Sequence, residues 1–270
     1  MTSYQADRDL LRDAALKAGE LAMSYFQKNP NAWSKEGGSP VTEADMAVDA
    51  FLRTELLAAR PDYGWLSEET VDVPAERQKD AIFVVDPIDG TRGFIEGDRR
   101  WCVSVAVVRE TRPVAAALFA PALDEMYTAA AGEGAFLGDR RLAVPGKPGT
   151  DGARLAGPRG WFKSGTLERE GFLPQPHVPS LAYRVTMVAS GAVESAFASP
   201  NAHDWDLAAC DLLVHEAGGV LTTLDGSQLC YNRESVSHDA VAAANADLQP
   251  KVLAAIRRVT SERGRAGSRT

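Results

Sequence analysis

The stretch from Ile82 to Val108 constrains the fold more than any other part of the chain. Ile82-Phe83-Val84-Val85 is an unbroken β-branched and aromatic run, which predicts a buried strand. Trp101 to Val108 is a second such run. Between them lies Asp86-Pro87-Ile88-Asp89-Gly90-Thr91, an acidic turn delivered at the C-terminal end of the first strand. Pro87 keeps Asp86 extended. Gly90 permits backbone geometry that a side chain forbids. A helical turn opening after Gly90 would leave N–H groups free beside the two carboxylates, and hard oxygen donors next to free amides suit a divalent cation and a phosphate. Asp-Pro and Asp-Gly pairs are also ordinary turn formers, so a functional reading needs more carboxylates elsewhere.

The totals narrow the classes. A chain of 270 residues can bury a sizeable core as one large or two modest domains. Net charge is -8, which argues against coating a nucleic-acid polymer but not against a small phosphorylated substrate, because bound cations invert the local field. The three cysteines, Cys102, Cys210 and Cys230, form no CxxC pair, and a reduced, cytoplasmic setting is the simplest inference. The polar, acidic start carries no signal-peptide pattern, and no apolar run approaches the length of a membrane span.

Along the chain, Asp7 to Gln27 has helical apolar spacing, and Lys35 to Pro40 reads as a Gly-Ser-Pro loop. Thr42 with Asp45 fits an N-cap with an acid at N3 of a second helix. Trp65-Leu66-Ser67 is a short strand ending in Glu68-Glu69, a pair that also suits a solvated edge. Strands at 101–108, 113–119, 125–130 and 134–137, joined by tight turns, predict an antiparallel sheet. The Pro- and Gly-rich stretch from Val144 to Gly152 marks a domain boundary. The expected division is an N-terminal α+β half over 1–145, a C-terminal α/β half over 146–260, and a flexible tail over 261–270. In the second half, helices are expected at 165–170, 181–190, 206–217 and 248–259, with strands at 154–156, 193–198, 220–224 and 240–244. Asp206 opens one of these helices, where it reads equally as a cap. Glu68, Asp86, Asp89 and Asp206 would repel if brought together, which is a reason to expect cations among them.

Three blocks, Ser67-Glu68-Glu69, Asp86-Pro87-Ile88-Asp89-Gly90-Thr91, and Trp205-Asp206-Leu207-Ala208-Ala209 running to Gly218-Gly219, resemble the inositol monophosphatase family of lithium-sensitive, Mg²⁺-dependent phosphatases in order and spacing. The resemblance implies an αβαβα layered sandwich of the inositol monophosphatase and fructose-1,6-bisphosphatase type, with the active site between its halves. It implies two or three Mg²⁺ ions: one held by Glu68, Asp86 and the Ile88 carbonyl, another by Asp86, Asp89 and Asp206. Gly90 and Thr91 would present amides to the phosphate, and Thr91 with Asp45 would sit beside the attacking water, which Glu68 helps orient. Asp45, Glu68 and Thr91 are thus the catalytic expectation. A homodimer is also implied.

The substrate is less sharply marked. Family members that prefer inositol phosphates carry a Glu seven residues before the late metal Asp, where this chain has Ser199. Arg92-Gly93-Phe94-Ile95 looks more like the 3'(2'),5'-bisphosphate nucleotidase branch, and Arg184 lies where that branch has a Lys. A second cation suits a second phosphate. That branch's Ser-Arg-Ser segment is here only Gly157-Pro158-Arg159-Gly160, and the three arginines also read as surface residues. The expected substrate residues are Asp89, Gly90, Thr91, Arg92, Arg184, Ser199 and Asp206. The expectation is hydrolysis of 3'-phosphoadenosine 5'-phosphate to AMP and phosphate. Inositol 1-phosphate or histidinol phosphate is the alternative substrate, and a metal-binding regulatory scaffold the alternative class. The four histidines have no metal-ligand spacing, although His203 is close enough in sequence to Asp206 to approach substrate.

Overall fold

The structure is a computed structural model that describes residues 4–28, 30–35, 40–147 and 149–267. The chain opens with helix α1 (Gln5–Met23), a small antiparallel pair β1 (Ala32–Ser34) and β2 (Pro40–Thr42), and helix α2 (Glu43–Ala59). A seven-stranded sheet follows: β3 (Gly64–Ser67), β4 (Ala81–Asp89), then, after the short helix α3 (Thr91–Glu96), β5 (Cys102–Arg109), β6 (Arg112–Ala120), β7 (Glu125–Ala130), β8 (Gly134–Leu137) and β9 (Arg140–Arg141). Only β3 and β4 run parallel; the rest is an antiparallel meander in sequence order. The second half contributes β10 (Ala153–Ala156), α4 (Thr166–Arg169), β11 (Phe172–Pro174), α5 (Leu181–Ala189), β12 (Ser195–Ala198), β13 (Ala202–His203), α6 (Asp204–Glu216), β14 (Gly219–Thr223), β15 (Ser237–His238), β16 (Val241–Asn245) and α7 (Gln249–Gly267). Its five-stranded sheet has the order β11-β10-β12-β16-β14.

The elements stack as five layers, αβαβα. Strand alternation explains how one run of residues serves two of them. Phe83 and Val85 of β4 join α1 and α2 in one apolar cluster. Ile82 and Val84 point the other way, into a cluster with Val185 and Val188 of α5 and Leu207, Leu213 and Val214 of α6. Ala196 of β12 and Val241 of β16 complete that same cluster, so α5 and α6 form the middle layer and the two sheets share one core. Leu155, Phe197 and Ala242 face outward onto Val252, Ile256 and Val259 of α7.

Besides shifts of a few residues at other ends, such as α1 closing at Met23 rather than Gln27, two boundaries differ from the sequence expectation in ways that bear on the site and the tail. α6 begins at Asp204, so Asp206 is its third residue, not its first. α7 continues to Gly267, across positions assigned to a flexible tail. Side chains of its last described turns are tied down: Thr166 Oγ1 donates to Glu262 Oε2 at 2.6 Å, and the Arg263 guanidinium lies 4.9 Å from the Trp161 ring centre. Residues 268–270 of the expected tail lie outside the described residues.

Candidate metal centre

In a regular strand, residues three apart point to opposite faces. Asp86 and Asp89 do not, because β4 is irregular between them. Asp86 pairs with Ser104 and Asp89 with Cys102, so three steps on β4 match two on β5. Pro87 has no N–H to donate to the ladder, which is where a bulge costs least. The bulge turns both carboxylates to one side, and α6 brings Asp206 to meet them. Carboxylate oxygens of Asp86, Asp89 and Asp206 lie within 4.8 Å of one another.

Each carboxylate is held differently. Asp86 is 1% exposed and accepts the Ile88 N–H at 3.1 Å. Asp89 is gripped by the first turn of α5: Leu181 N–H donates at 3.2 Å, Ala182 N–H at 2.5 Å, and the Ser180 hydroxyl makes a short bond. Asp206 closes a capping box by accepting the His203 N–H at 2.6 Å. Its cap and ligand readings are therefore compatible, since one oxygen caps the helix and the carboxylate still joins the triad. Burial and mutual repulsion hold the Asp86 and Asp206 carboxyls well above the ordinary carboxylate range. Burial also raises Asp89, against the pull of the α5 donors. Three crowded carboxylates, Asp86 and Asp89 buried and Asp206 half-buried, whose ionised forms lack enough counter-charge match what a small hard dication needs.

Around the triad, Gly90 adopts φ 95°, and a Cβ there would sit 3.0 Å from the Ser180 backbone nitrogen. Glycine thus satisfies both a left-handed conformation and a close approach to α5. The first amides of α3, from Thr91 onward, have no intrahelical acceptor. Thr91 Oγ1 lies 3.0 Å from both Asp45 Oδ1 and the Ile88 carbonyl oxygen. Asp45 Oδ2 is already occupied by the Thr42 hydroxyl at 2.5 Å and the Thr42 N–H at 2.8 Å. Asp45 therefore caps α2 and faces Thr91 at once, and burial raises its carboxyl above the ordinary value.

Glu68 stands outside the close triad. Lys35 Nζ lies 2.9 Å from Glu68 Oε1 and 2.6 Å from Glu69 Oε1. Burial pushes Glu69 up to about 7 although Lys35 opposes it. The loop reading of Lys35 gave no hint of this pairing. Arg92 is exposed on α3. Arg184 is not the surface residue that one reading allowed: it is 5% exposed, donates to the Val178 carbonyl at 3.0 Å, and leaves its Nε buried without a partner. Burial lowers its pKa while Asp89 and Asp206 raise it. Ser199 accepts a hydrogen bond from Trp161 Nε1 at 2.9 Å. His203 caps α6 and stacks on Trp205 with ring centres 4.6 Å apart. A separate cavity of about 920 Å³, lined by Trp161, Asp225, Arg233 and His238 among others, includes none of the triad.

Clustered carboxylates beside helix-start amides and a threonine–aspartate pair suit a hydrolase that handles an oxyanion. The model of the inositol monophosphatase family matches residues 4–261. The chain is 32% identical over 268 residues to an inositol-1-monophosphatase of Mesorhizobium japonicum, covering 94% of this chain and 97% of the relative. It is 31% identical over 236 residues to the 3'(2'),5'-bisphosphate nucleotidase CysQ of Aggregatibacter actinomycetemcomitans (83% and 88% covered). It is 37% identical over 199 residues to the histidinol-phosphatase of Mycobacterium tuberculosis (70% and 75% covered). The solved structure of extragenic suppressor protein suhB from Bartonella henselae superposes with a TM-score of 0.83 at 28% identity, covering 93% of this chain and 98% of that one. The chain belongs to the inositol monophosphatase family, whose members are magnesium-dependent phosphatases acting on phosphate monoesters. No helix among the described residues is long and apolar enough to cross a membrane.

Proposed function

We propose that this phosphatase hydrolyses a small phosphate ester carrying a second anionic group, a 3'(2'),5'-bisphosphate nucleotide such as 3'-phosphoadenosine 5'-phosphate. The supporting observation is a cationic group beside the triad. Arg184 sits on α5 one turn beyond the amides that hold Asp89, with its Nε unpaired. His177 has a buried, unpaired Nδ1, and its pKa is lowered by burial and by the charges of Arg159, Arg184 and Arg100. Asp98 offsets part of that charge through its pair with Arg100. A concentration of guanidinium groups suits a phosphate.

Asp86, Asp89, Asp206, the Ile88 carbonyl and Glu68 would hold the magnesium ions. When bound, magnesium supplies positive charge that makes water more acidic and offsets the charge of the phosphoryl group. The Gly90 and Thr91 amides orient the phosphoryl oxygens. The Thr91 hydroxyl, with Asp45 Oδ1 as its acceptor, takes the proton of the attacking water as it passes its own to Asp45. The water oxygen bonds to phosphorus in line with the departing ester oxygen, which leaves as an alkoxide and is protonated by solvent. No covalent phospho-enzyme forms. The same reading has the enzyme act as a homodimer in the cytoplasm; the three free cysteines support the reduced compartment.

The similarity to inositol-1-monophosphatases and to a histidinol-phosphatase favours a second reading, in which the ester carries one phosphate only. Phosphate release with Mg²⁺ separates them. The nucleotide should be preferred over inositol 1-phosphate and histidinol phosphate. Replacing the exposed Arg159 by Ala should raise KM for the nucleotide alone. Equal or better turnover of a single-phosphate ester contradicts the bisphosphate reading, and absence of release from all three esters favours a regulatory scaffold.

A further inference from the structure

Helix α2 presents Asp45 and Asp49 on one face, four residues apart. Asp45 meets Thr91; Asp49 meets the segment that follows β3. Asp49 is 6% exposed, and both of its oxygens are used. Ser67 Oγ donates to Oδ1 at 2.5 Å, and Thr70 Oγ1 donates to Oδ2 at 2.7 Å. Thr70 Oγ1 accepts from Trp65 Nε1 at 3.3 Å, and Ser67 Oγ accepts from the Glu69 N–H at 3.4 Å. One carboxylate thus clamps both ends of the four-residue segment Ser67–Thr70, and the residues between its anchors are Glu68 and Glu69.

Besides the clamp, the segment is held by backbone pairing to β4 and by Lys35, whose Nζ contacts both glutamate side chains. Glu68 N–H donates to the Val85 carbonyl at 3.2 Å, but beyond Thr70 the chain leaves the core and Val71 is 83% exposed. No cation pairs with Asp49 among the described ion pairs, so the donors to its carboxyl oxygens are the hydroxyls of Ser67 and Thr70. Such a carboxyl is costly to bury and is weak evidence for a stabilising role. Its geometry has a clearer use. A carboxylate accepting two hydroxyls across a turn fixes the direction of the side chains within the turn, as outer groups orient the ligands of a metal.

We infer that Asp49 is a positioning residue for the metal centre, acting through Ser67 and Thr70 to aim Glu68. The inference rests on Glu68 being a cation ligand, as in the proposed function. Asp49 itself touches neither substrate nor cation.

The test is the Mg²⁺ dissociation constant of the full chain by calorimetry, alongside its Tm and the Mg²⁺ concentration giving half-maximal phosphate release. Asp49→Ala should weaken Mg²⁺ binding by roughly 10- to 100-fold, shift half-saturation to match, and leave KM for the ester within about twofold at saturating Mg²⁺. Asp49→Asn, which keeps the size and one acceptor oxygen but loses the second hydroxyl bond, should weaken binding in the same direction to a smaller extent and serves if Asp49→Ala does not fold. A dissociation constant within twofold of the parent in the folded variant, whatever happens to Tm, overturns the inference and leaves Asp49 a structural residue. Glu68→Gln separates the two levels. If it weakens Mg²⁺ binding while the Asp49 variants do not, the positioning role fails and the ligand assignment stands. If Glu68→Gln changes nothing, the assignment beneath the inference fails.

Discussion

Asp86→Asn should have opposite effects on stability with and without cation. The asparagine is isosteric, and its carbonyl oxygen can keep the Ile88 N–H. Its amide can then donate toward Asp89 or Asp206, where the native carboxylate repels them. At 4.8 Å and an effective dielectric near 20, each fully ionised pair repels by about 3.5 kcal/mol. Proton uptake, reflected in the raised pKa values, and the nearby Arg184 relieve part of this. A gain of about 2 kcal/mol is reasonable for the metal-free variant at pH 8, or about 4 °C in Tm for a chain of this length. With Mg²⁺ at a hundred times its dissociation constant, the parent should gain about 2.7 kcal/mol, roughly 5 °C, and the variant little of it. Thermal melts with and without Mg²⁺, beside phosphate release, read both effects. The variant should melt higher in chelator, lower in Mg²⁺, and turn over at least roughly 10³-fold more slowly. A lower Tm in chelator together with an undiminished Mg²⁺ shift would refute the shared-charge reasoning.

Three further outcomes are expected. Thr91→Val keeps the shape of the turn and removes the hydroxyl, so kcat should fall by roughly 10²- to 10⁴-fold with KM and Tm little changed; a kcat within threefold of the parent would remove Thr91 from the proton path. Gly90→Ala combines φ 95° with a Cβ contact of 3.0 Å to backbone, so melting should show a loss of about 2–4 kcal/mol, or roughly 4–7 °C, and an unchanged Tm would mean that the turn yields freely. Because the triad carboxyls are raised in the folded state and Glu69 is raised to about 7, the folded metal-free chain binds more protons than the unfolded one; its stability should decline from about pH 5 to pH 8, while the Mg²⁺ shift in Tm grows as protons compete less.

Much of this was legible in the chain, and what was not has identifiable causes. The apolar runs of β4 and β5 announced the central sheet because both faces are covered, leaving no polar alternation. The Asp-Pro-x-Asp-Gly-Thr turn named two candidate ligands, but their common direction depends on a bulge whose only trace in the sequence is Pro87. Asp45 and Asp206 each looked like helix caps, and each is one; the acid at N3 has a second oxygen or lone pair to spare, which no spacing rule reveals. Arg184 carries a signal in the sequence, since it is the lone charge in the largely apolar helix Leu-Ala-Tyr-Arg-Val-Thr-Met-Val-Ala. Lys35, Ser180 and Asp49 had none. Their roles come from contacts 33, 91 and 18 residues away along the chain, and such pairings are set by the packing of α2, α5 and the sheet. The length of α7 is not legible because its Arg, Gly and Ser composition reads as fraying, whereas Glu262 and Arg263 anchor its later turns to Thr166 and Trp161.

The central claim is that Asp86, Asp89 and Asp206 form one metal centre at the end of β4. Anomalous diffraction from crystals soaked in Mn²⁺, a scattering substitute for Mg²⁺, tests it directly. The account expects a strong anomalous peak within bonding distance of oxygens from all three aspartates, lost in Asp86→Asn. A Mn²⁺ peak located only elsewhere, or one at the triad that persists undiminished in the variant, would contradict it.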